Sequence, residues 1–362
     1  METVFQADIQ YQSYLSPEGE PLQALPEWTE QPEQLLRYYR TMVLMRQLDA
    51  RIIALQRTGQ MGTYASLLGA EAIDSVVGER MSADDVLVPY YRNHALQMLR
   101  GLPLSDMLSY WGGDERANGS AAMADDFPNA VPIATQALHA AGVATAFKVR
   151  GEKRVAVTLC GDGATSKGDF LEALNVAGVW QLPLVFIVNN NQWAISVPRN
   201  LQCGATTLAQ KAIGAGIHGE QVDGNDVIAL HESVSAALQR AREGKGATLI
   251  EAMSYRLSDH TTADDATRYR SGEELKAAWE REPIKRLQTW LHQRGWWDET
   301  QERAWLDDVS SIIQTGVDAY LSQPPQPVEH LFDYLYAELP DALQEQRARL
   351  IRNAQPGGSR HE

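Results

Sequence analysis

In LCGDGATSKGD, residues 159–169, Asp162 stands between Gly161 and Gly163 directly after an apolar run. Glycine turns of this kind cradle phosphates with backbone N–H groups, and a central carboxylate would repel a directly bound pyrophosphate. A bridging cation removes the conflict. Magnesium takes about six hard oxygens in an octahedral array, a shell that one carboxylate, one amide oxygen, a backbone carbonyl, a water and two diphosphate oxygens would fill. NNNQW, at 189–193, offers the amide. Taken alone, GDG equally suits a plain strand-to-helix turn in which Asp162 caps the helix. An NAD-binding Rossmann oxidoreductase would need G-x-G-x-x-G, and Ser166 stands where its third glycine belongs.

Two further groups suit the same chemistry. Arg92, in VPYYRNH at 88–94, carries a planar fork that can donate two hydrogen bonds to phosphate oxygens. His260, in LSDHTTADDATRYRS at 257–271, can donate to a phosphate and exchange protons near neutral pH. Each also has an ordinary reading, as a surface arginine and a solvated loop histidine.

Such groups need a scaffold. RVAVTL (154–159) and LPLVFIV (182–188) are continuous apolar runs, as in parallel strands covered on both faces, and ATLIEAMSY (247–255) reads as another strand. Helical patterns lie between them at 169–180 and 227–243, with a turn-rich QVDGND at 221–226. This alternation predicts an α/β fold: a doubly wound, mostly parallel sheet flanked by helices. Ligands of such sheets bind beyond the strands' carboxyl ends, where GDG and NNNQW both fall. Upstream, the spacing predicts a long helix over 33–56, shorter ones at 70–81 and 104–111, a strand at 86–91 and a loop at 112–124. Residues 1–32, punctuated by prolines, read as an extended leader lying across a partner or another part of the fold. We expect a main domain over 33–325 and, after PPQPV, a helical tail over 326–362.

Composition bounds the function. Asp and Glu total 47 against 32 Lys and Arg, a net charge of −15, which argues against a nucleic-acid surface. Two cysteines are too few for a disulfide framework. METVFQADIQYQ has neither the basic start nor the apolar core of a signal peptide, and no apolar run approaches the roughly 20 residues of a membrane span, so a cytoplasmic protein is expected.

GDGATSKGD followed by LPLVFIVNNNQWAIS resembles the thiamine-diphosphate motif. Over roughly residues 33–345 the chain resembles the alpha subunit of the decarboxylating component of 2-oxo-acid dehydrogenase complexes, nearest to the bacterial pyruvate type. The resemblance implies that the Asp162 and Asn191 side chains and the Trp193 carbonyl bind magnesium, while Gly161, Gly163 and Ala164 present backbone to the diphosphate. Relatives often carry Tyr or Phe where Trp193 stands, and a charged residue or Gln where Asn189 stands. Tyr91, Arg92 and His260 would reach the diphosphate, His260 also acting catalytically, with Arg268, Tyr269 and Arg270 ordering its loop. VPIATQ (131–136) resembles a segment that passes the thiazolium ring through Val131 and Ile133. In branched-chain relatives it also binds potassium through residues matching Pro132, Thr135 and Gln136, whereas by itself it reads as a helix start with Pro132 in the first turn. Tyr64 and Leu67, in GTYASLLGAEA, would face the substrate, core packing being their other reading.

The implied activity is oxidative decarboxylation of pyruvate, with 3-methyl-2-oxobutanoate as the alternative substrate, and acyl transfer to the lipoyl group of a dihydrolipoyl transacylase. The resemblance further implies an α2β2 assembly in which a separate beta subunit supplies a glutamate. This chain would then carry only the diphosphate and magnesium half of the site.

Overall fold

The computed structural model describes residues 1–123 and 125–354. Its leader contains strand β1 (Tyr11–Gln12), and Pro32 then opens helix α1 (Pro32–Arg57). Next come α2 (Glu71–Arg80), β2 (Val86–Val88), α3 (His94–Leu99), α4 (Leu104–Trp111) and α5 (Thr135–Arg150). The centre runs β3 (Ala156–Gly161), α6 (Gly168–Val179), β4 (Leu184–Asn190), β5 (Trp193–Ala194), β6 (Val197–Pro198), α7 (Arg199–Gln202), α8 (Gln210–Ala215), β7 (His218–Asp223), α9 (Val227–Arg242) and β8 (Thr248–Met253). Helices α10 (Gly272–Trp279), α11 (Pro283–Gln293), α12 (Glu299–Leu321), α13 (His330–Asp333) and α14 (Asp341–Ala354) complete it.

Six strands form one parallel sheet in the order β1-β7-β8-β4-β3-β2. Its two faces explain the continuous apolar runs. Val157, Leu159, Val185, Ile187 and Ile250 point into a core shared with α1, α2, α9 and α11. Their alternating neighbours Ala156, Cys160, Leu184, Phe186, Val188 and Leu249 enter a second core with α5, α6 and α8. Each fully buried Leu, Ile or Phe contributes about 1.5–3 kcal/mol, so a polar residue at either phase of these strands would be costly. Register then does the positioning: Gly161 pairs with Asn189, which brings the turn after β3 beside the asparagines that end β4.

The leader lies across this same fold. β1 pairs with β7, and Asp226 accepts from the Tyr14 and Leu15 N–H groups at 2.6 and 2.7 Å while capping α9 through Ile228 and Ala229. The stretch 221–226 is a turn only after Asp223. Its first half belongs to β7, whose polar HGEQVD sequence lacks strand alternation and is held by backbone pairing to β1 and β8. Pro132 is not in a helix's first turn, because α5 starts at Thr135 after Ala134 takes a left-handed φ of 68°. Short 3-10 turns at Glu115–Gly119 and Ala121–Met123 interrupt the loop expected at 112–124, whose last residue lies outside the described residues.

The chain divides into two compact units, Met1–Val317 and Asp318–Glu362. Within the second, α13 and α14 are joined by an Arg347–Asp333 ion pair at 2.8 Å, and 355–362 of the expected tail lie outside the described residues. Among the described residues, no helix is long and apolar enough to cross a membrane.

Candidate functional site

Beyond the carboxyl ends of β3 and β4 lies a cavity of about 200 Å³. Gly161, Asp162, Gly163 and Ala164 form one wall, Asn191 and Trp193 another, and Tyr91, Arg92, Val131, Ile133 and His260 line the remainder. Eleven residues expected from sequence at a cofactor or metal site therefore converge on one space.

Asp162 is 1 % exposed, and neither carboxylate oxygen has a hydrogen-bond partner. Burial pushes its pKa up to about 6; nearby backbone N–H groups of Asp162 and Asn191 and the Arg256 charge only partly oppose this. It does not cap α6, whose N-cap is Lys167. Its backbone carbonyl is tied down instead, by the Thr165 hydroxyl at 2.8 Å and Gln202 Nε2 at 3.1 Å. Gly163 has a packing reason to be glycine: a Cβ there would come within 2.8 Å of the Ala194 Cβ.

Across the strand ends, Asn191 Oδ1 accepts from the Trp193 N–H at 3.1 Å. Asn189 points elsewhere, donating to the Tyr90 hydroxyl at 3.2 Å and accepting from Ser254. Asn190 donates to Glu251 at 2.6 Å. Of the three asparagines only Asn191 lines the cavity. Among the described residues no three His, Cys, Asp or Glu side chains cluster as a metal cage. The oxygens here are one carboxylate, one amide and backbone carbonyls, a hard set that fits a cation sharing its shell with a diphosphate.

Arg92 is 4 % exposed and no surface residue. One of its nitrogens donates to the Ser66 carbonyl, and the other reaches the His260 carbonyl at 2.6 Å and Nδ1 at 3.0 Å. Burial, then Arg92 and Arg256, lower the His260 pKa to about 4. With guanidinium donors facing Nδ1, the neutral ring carries its proton on Nε2. The lining thus combines cationic and N–H groups suited to an anion with an unpartnered carboxylate suited to a cation.

Other expected residues lie elsewhere. Tyr64 and Leu67 do not line the cavity; both are buried, with the Tyr64 ring stacked on His94 and its hydroxyl on Asp49. Of the potassium set, Gln136 lines the cavity and its Oε1 is buried without a partner, whereas Pro132 and Thr135 are not in the lining. Sequence reasoning missed Arg256. It is 3 % exposed and donates to the Ile195 carbonyl at 2.8 Å and the Tyr269 hydroxyl at 2.7 Å, with the Trp193 carbonyl at 3.5 Å. Its only sequence signal is its place at the start of the histidine loop. Tyr269 donates in turn to Asp264, which accepts from the His260 N–H at 2.9 Å.

The dehydrogenase E1 component family matches residues 39–329. The chain is 40 % identical over 344 residues to the 3-methyl-2-oxobutanoate dehydrogenase subunit alpha of Mycobacterium tuberculosis, covering 95 % of this chain and 94 % of that one. It is 38 % identical to the pyruvate dehydrogenase E1 component subunit alpha of Bacillus subtilis over 328 residues, and likewise to that of Staphylococcus aureus over 324. Both of these alignments cover 89 % of this chain and 87 % of the relative.

Proposed function

This chain belongs to the dehydrogenase E1 component family, and from that premise we propose that it is the alpha subunit of a thiamine-diphosphate- and magnesium-dependent 2-oxo-acid dehydrogenase acting on pyruvate. The observation that carries the proposal is Asp162, a buried carboxylate with two unpartnered oxygens in the lining of a cavity that Arg92 and His260 also line. A buried charge without partners is costly, and a bridging cation gives it a purpose.

Asp162, the Asn191 amide and the Trp193 carbonyl would hold magnesium; the backbone of Gly161, Gly163 and Ala164, with Tyr91, Arg92 and His260, would hold the diphosphate. Bound there, thiamine diphosphate supplies the carbon nucleophile for the keto group and the electron sink for the pair released with carbon dioxide. The chain's part is to position and polarise. His260 lines the cavity, and burial, then Arg92 and Arg256, keep its ring neutral. Val131, Ile133 and Ile195 line the cavity yet are 59, 43 and 56 % exposed, which suits a wall completed by a beta subunit. A dihydrolipoyl transacylase would then accept the acyl group. Gln136 offers an unpartnered oxygen to a potassium ion, an accessory proposal. Two free cysteines suit a reducing cytoplasm.

Pyruvate rests on the relatives so named in Bacillus and Staphylococcus; burial of Tyr64 and Leu67 removes them from that argument. The Mycobacterium relative, matched over a larger share of the chain, favours 3-methyl-2-oxobutanoate as the second reading. Titrating thiamine diphosphate into the chain and its beta partner, with and without magnesium, tests the cofactor: binding should require magnesium. Dye-coupled oxidation by the reconstituted assembly then ranks the two acids, and faster turnover of the branched one would replace pyruvate.

A further inference from the structure

Asp49, on α1, is 2 % exposed and lines no part of the cavity. Its Oδ1 accepts from the Tyr64 hydroxyl at 2.5 Å and the Leu67 N–H at 3.3 Å, and its Oδ2 accepts from the Ser66 hydroxyl. Three donors thus converge on one carboxylate and pin residues 64–67, a stretch with neither helix nor strand to hold it.

That stretch carries the site on its other side. The Ser66 carbonyl accepts from Arg92, the guanidinium that also grips His260. Tyr64 and Thr262 exchange two hydrogen bonds, N–H to Oγ1 at 3.0 Å and N–H to carbonyl at 2.9 Å, two residues beyond His260. Leu257, at the start of the same loop, donates to the Leu68 carbonyl at 3.1 Å. Two separate routes therefore join Asp49 to His260, one through Arg92 and one through Thr262.

We infer that Asp49 is a positioning residue: through segment 64–67 it holds Arg92 and the His260 loop in register for the diphosphate. This rests on the cofactor reading above and extends it to a residue that touches neither cofactor nor substrate. A carboxylate suits the task because its two oxygens can accept from several donors at once. An amide at the same place has one acceptor and turns a donor toward Ser66. Burial holds the Asp49 pKa up at about 6 although the Ser66, Tyr64 and Leu67 donors favour the charged form.

The test compares Asp49→Asn and Asp49→Ala with Val234→Ala, a cavity variant in the α9 core chosen as a control for general loss of stability. In the full chain, amide hydrogen exchange at Leu257 and Thr262 should quicken about tenfold or more in the Asp49 variants at 25 °C, and by no more than about twofold in the control. In the assembly with the beta subunit, the KM for thiamine diphosphate should rise about tenfold while kcat at saturating cofactor falls by less than about threefold. Loop exchange unchanged in Asp49→Asn, or quickened as much by Val234→Ala, overturns the bracing. Faster exchange with an unchanged cofactor KM overturns the positioning role. If Asp49→Ala does not fold, Asp49→Asn carries both measurements. Should wild-type assembly bind no thiamine diphosphate, the cofactor reading fails, while the exchange experiment still decides whether Asp49 braces the loop.

Discussion

Asp162 faces two demands with opposite signs. An ionised carboxylate buried with neither oxygen in a hydrogen bond weakens the folded chain, while the same oxygens suit a cation. We therefore expect Asp162→Asn to stabilise the cofactor-free chain by about 1–2 kcal/mol, since it removes the charge and leaves only neutral polar atoms to bury. The same variant should abolish magnesium-dependent thiamine diphosphate binding. Thermal unfolding and calorimetry on one preparation check both signs, and a loss of stability would show that Asp162 is already satisfied inside the chain. His260 shows the complementary logic, its neutrality maintained by burial and then by the guanidiniums that would share the anion with it.

The histidine loop is short of regular structure and depends on neighbouring segments for its shape. Leu68 and Tyr64 supply backbone partners to Leu257 and Thr262, and this approach is close enough to restrict Gly69. Gly69 has φ +98°, and a Cβ on it would collide with the Tyr255 carbonyl oxygen. Substitution is strained twice, by conformation and by contact. Gly69→Ala should destabilise the chain by about 3 kcal/mol or more, read as a lowered thermal midpoint. Gly59→Ala offers the contrast: its φ is also positive, at +74°, but a Cβ there would meet nothing within 4 Å, so its loss should be about 1 kcal/mol.

Across the first unit, the leader is joined to the core by contacts that titrate. His231 on α9 stacks on Trp28 with centroids 3.9 Å apart, and its Nδ1 lies 2.9 Å from the Tyr38 hydroxyl. Burial, then the Arg80 charge, lowers its pKa to about 4. A folded-state value below the unfolded one means that the unfolded chain takes the proton first. Stability from this group is complete above about pH 6.5 and is lost as pH falls toward about 4. His231→Asn should lower the thermal midpoint at pH 7.5, and the gap to wild type should shrink by about half or more at pH 5. A gap that stays constant with pH would rule out the titration. Under the proposed function another chain completes the site: with exposed Val131, Ile133 and Ile195 in the cavity lining, the isolated chain should show little decarboxylation, and adding the beta subunit with magnesium and thiamine diphosphate should restore it.

Much of the site was legible in the residues themselves. Strands buried on both faces are largely apolar, so β3 and β4 announce themselves, and a parallel sheet sends its ligands to their carboxyl ends, where Asp162 and Asn191 stand. Those features follow from local chemistry and period. What depends on a distant partner carries no period. HGEQVD becomes a strand only because β1 and β8 offer it backbone partners on either side. Asn189 and Asn191 differ in role because Ser254 and Tyr90 claim the first. Tyr64 belongs to the core because Asp49 takes its hydroxyl, and Arg256 joins the turn at Ile195 to the histidine loop across a long separation in sequence. The sequence by itself determined the sheet, the glycine turn and the place of its aspartate beyond a strand end. Tertiary structure alone decided which side chains face the cavity and which hold it in shape, since hydrogen bonds between segments far apart in the chain exist only once both are in place.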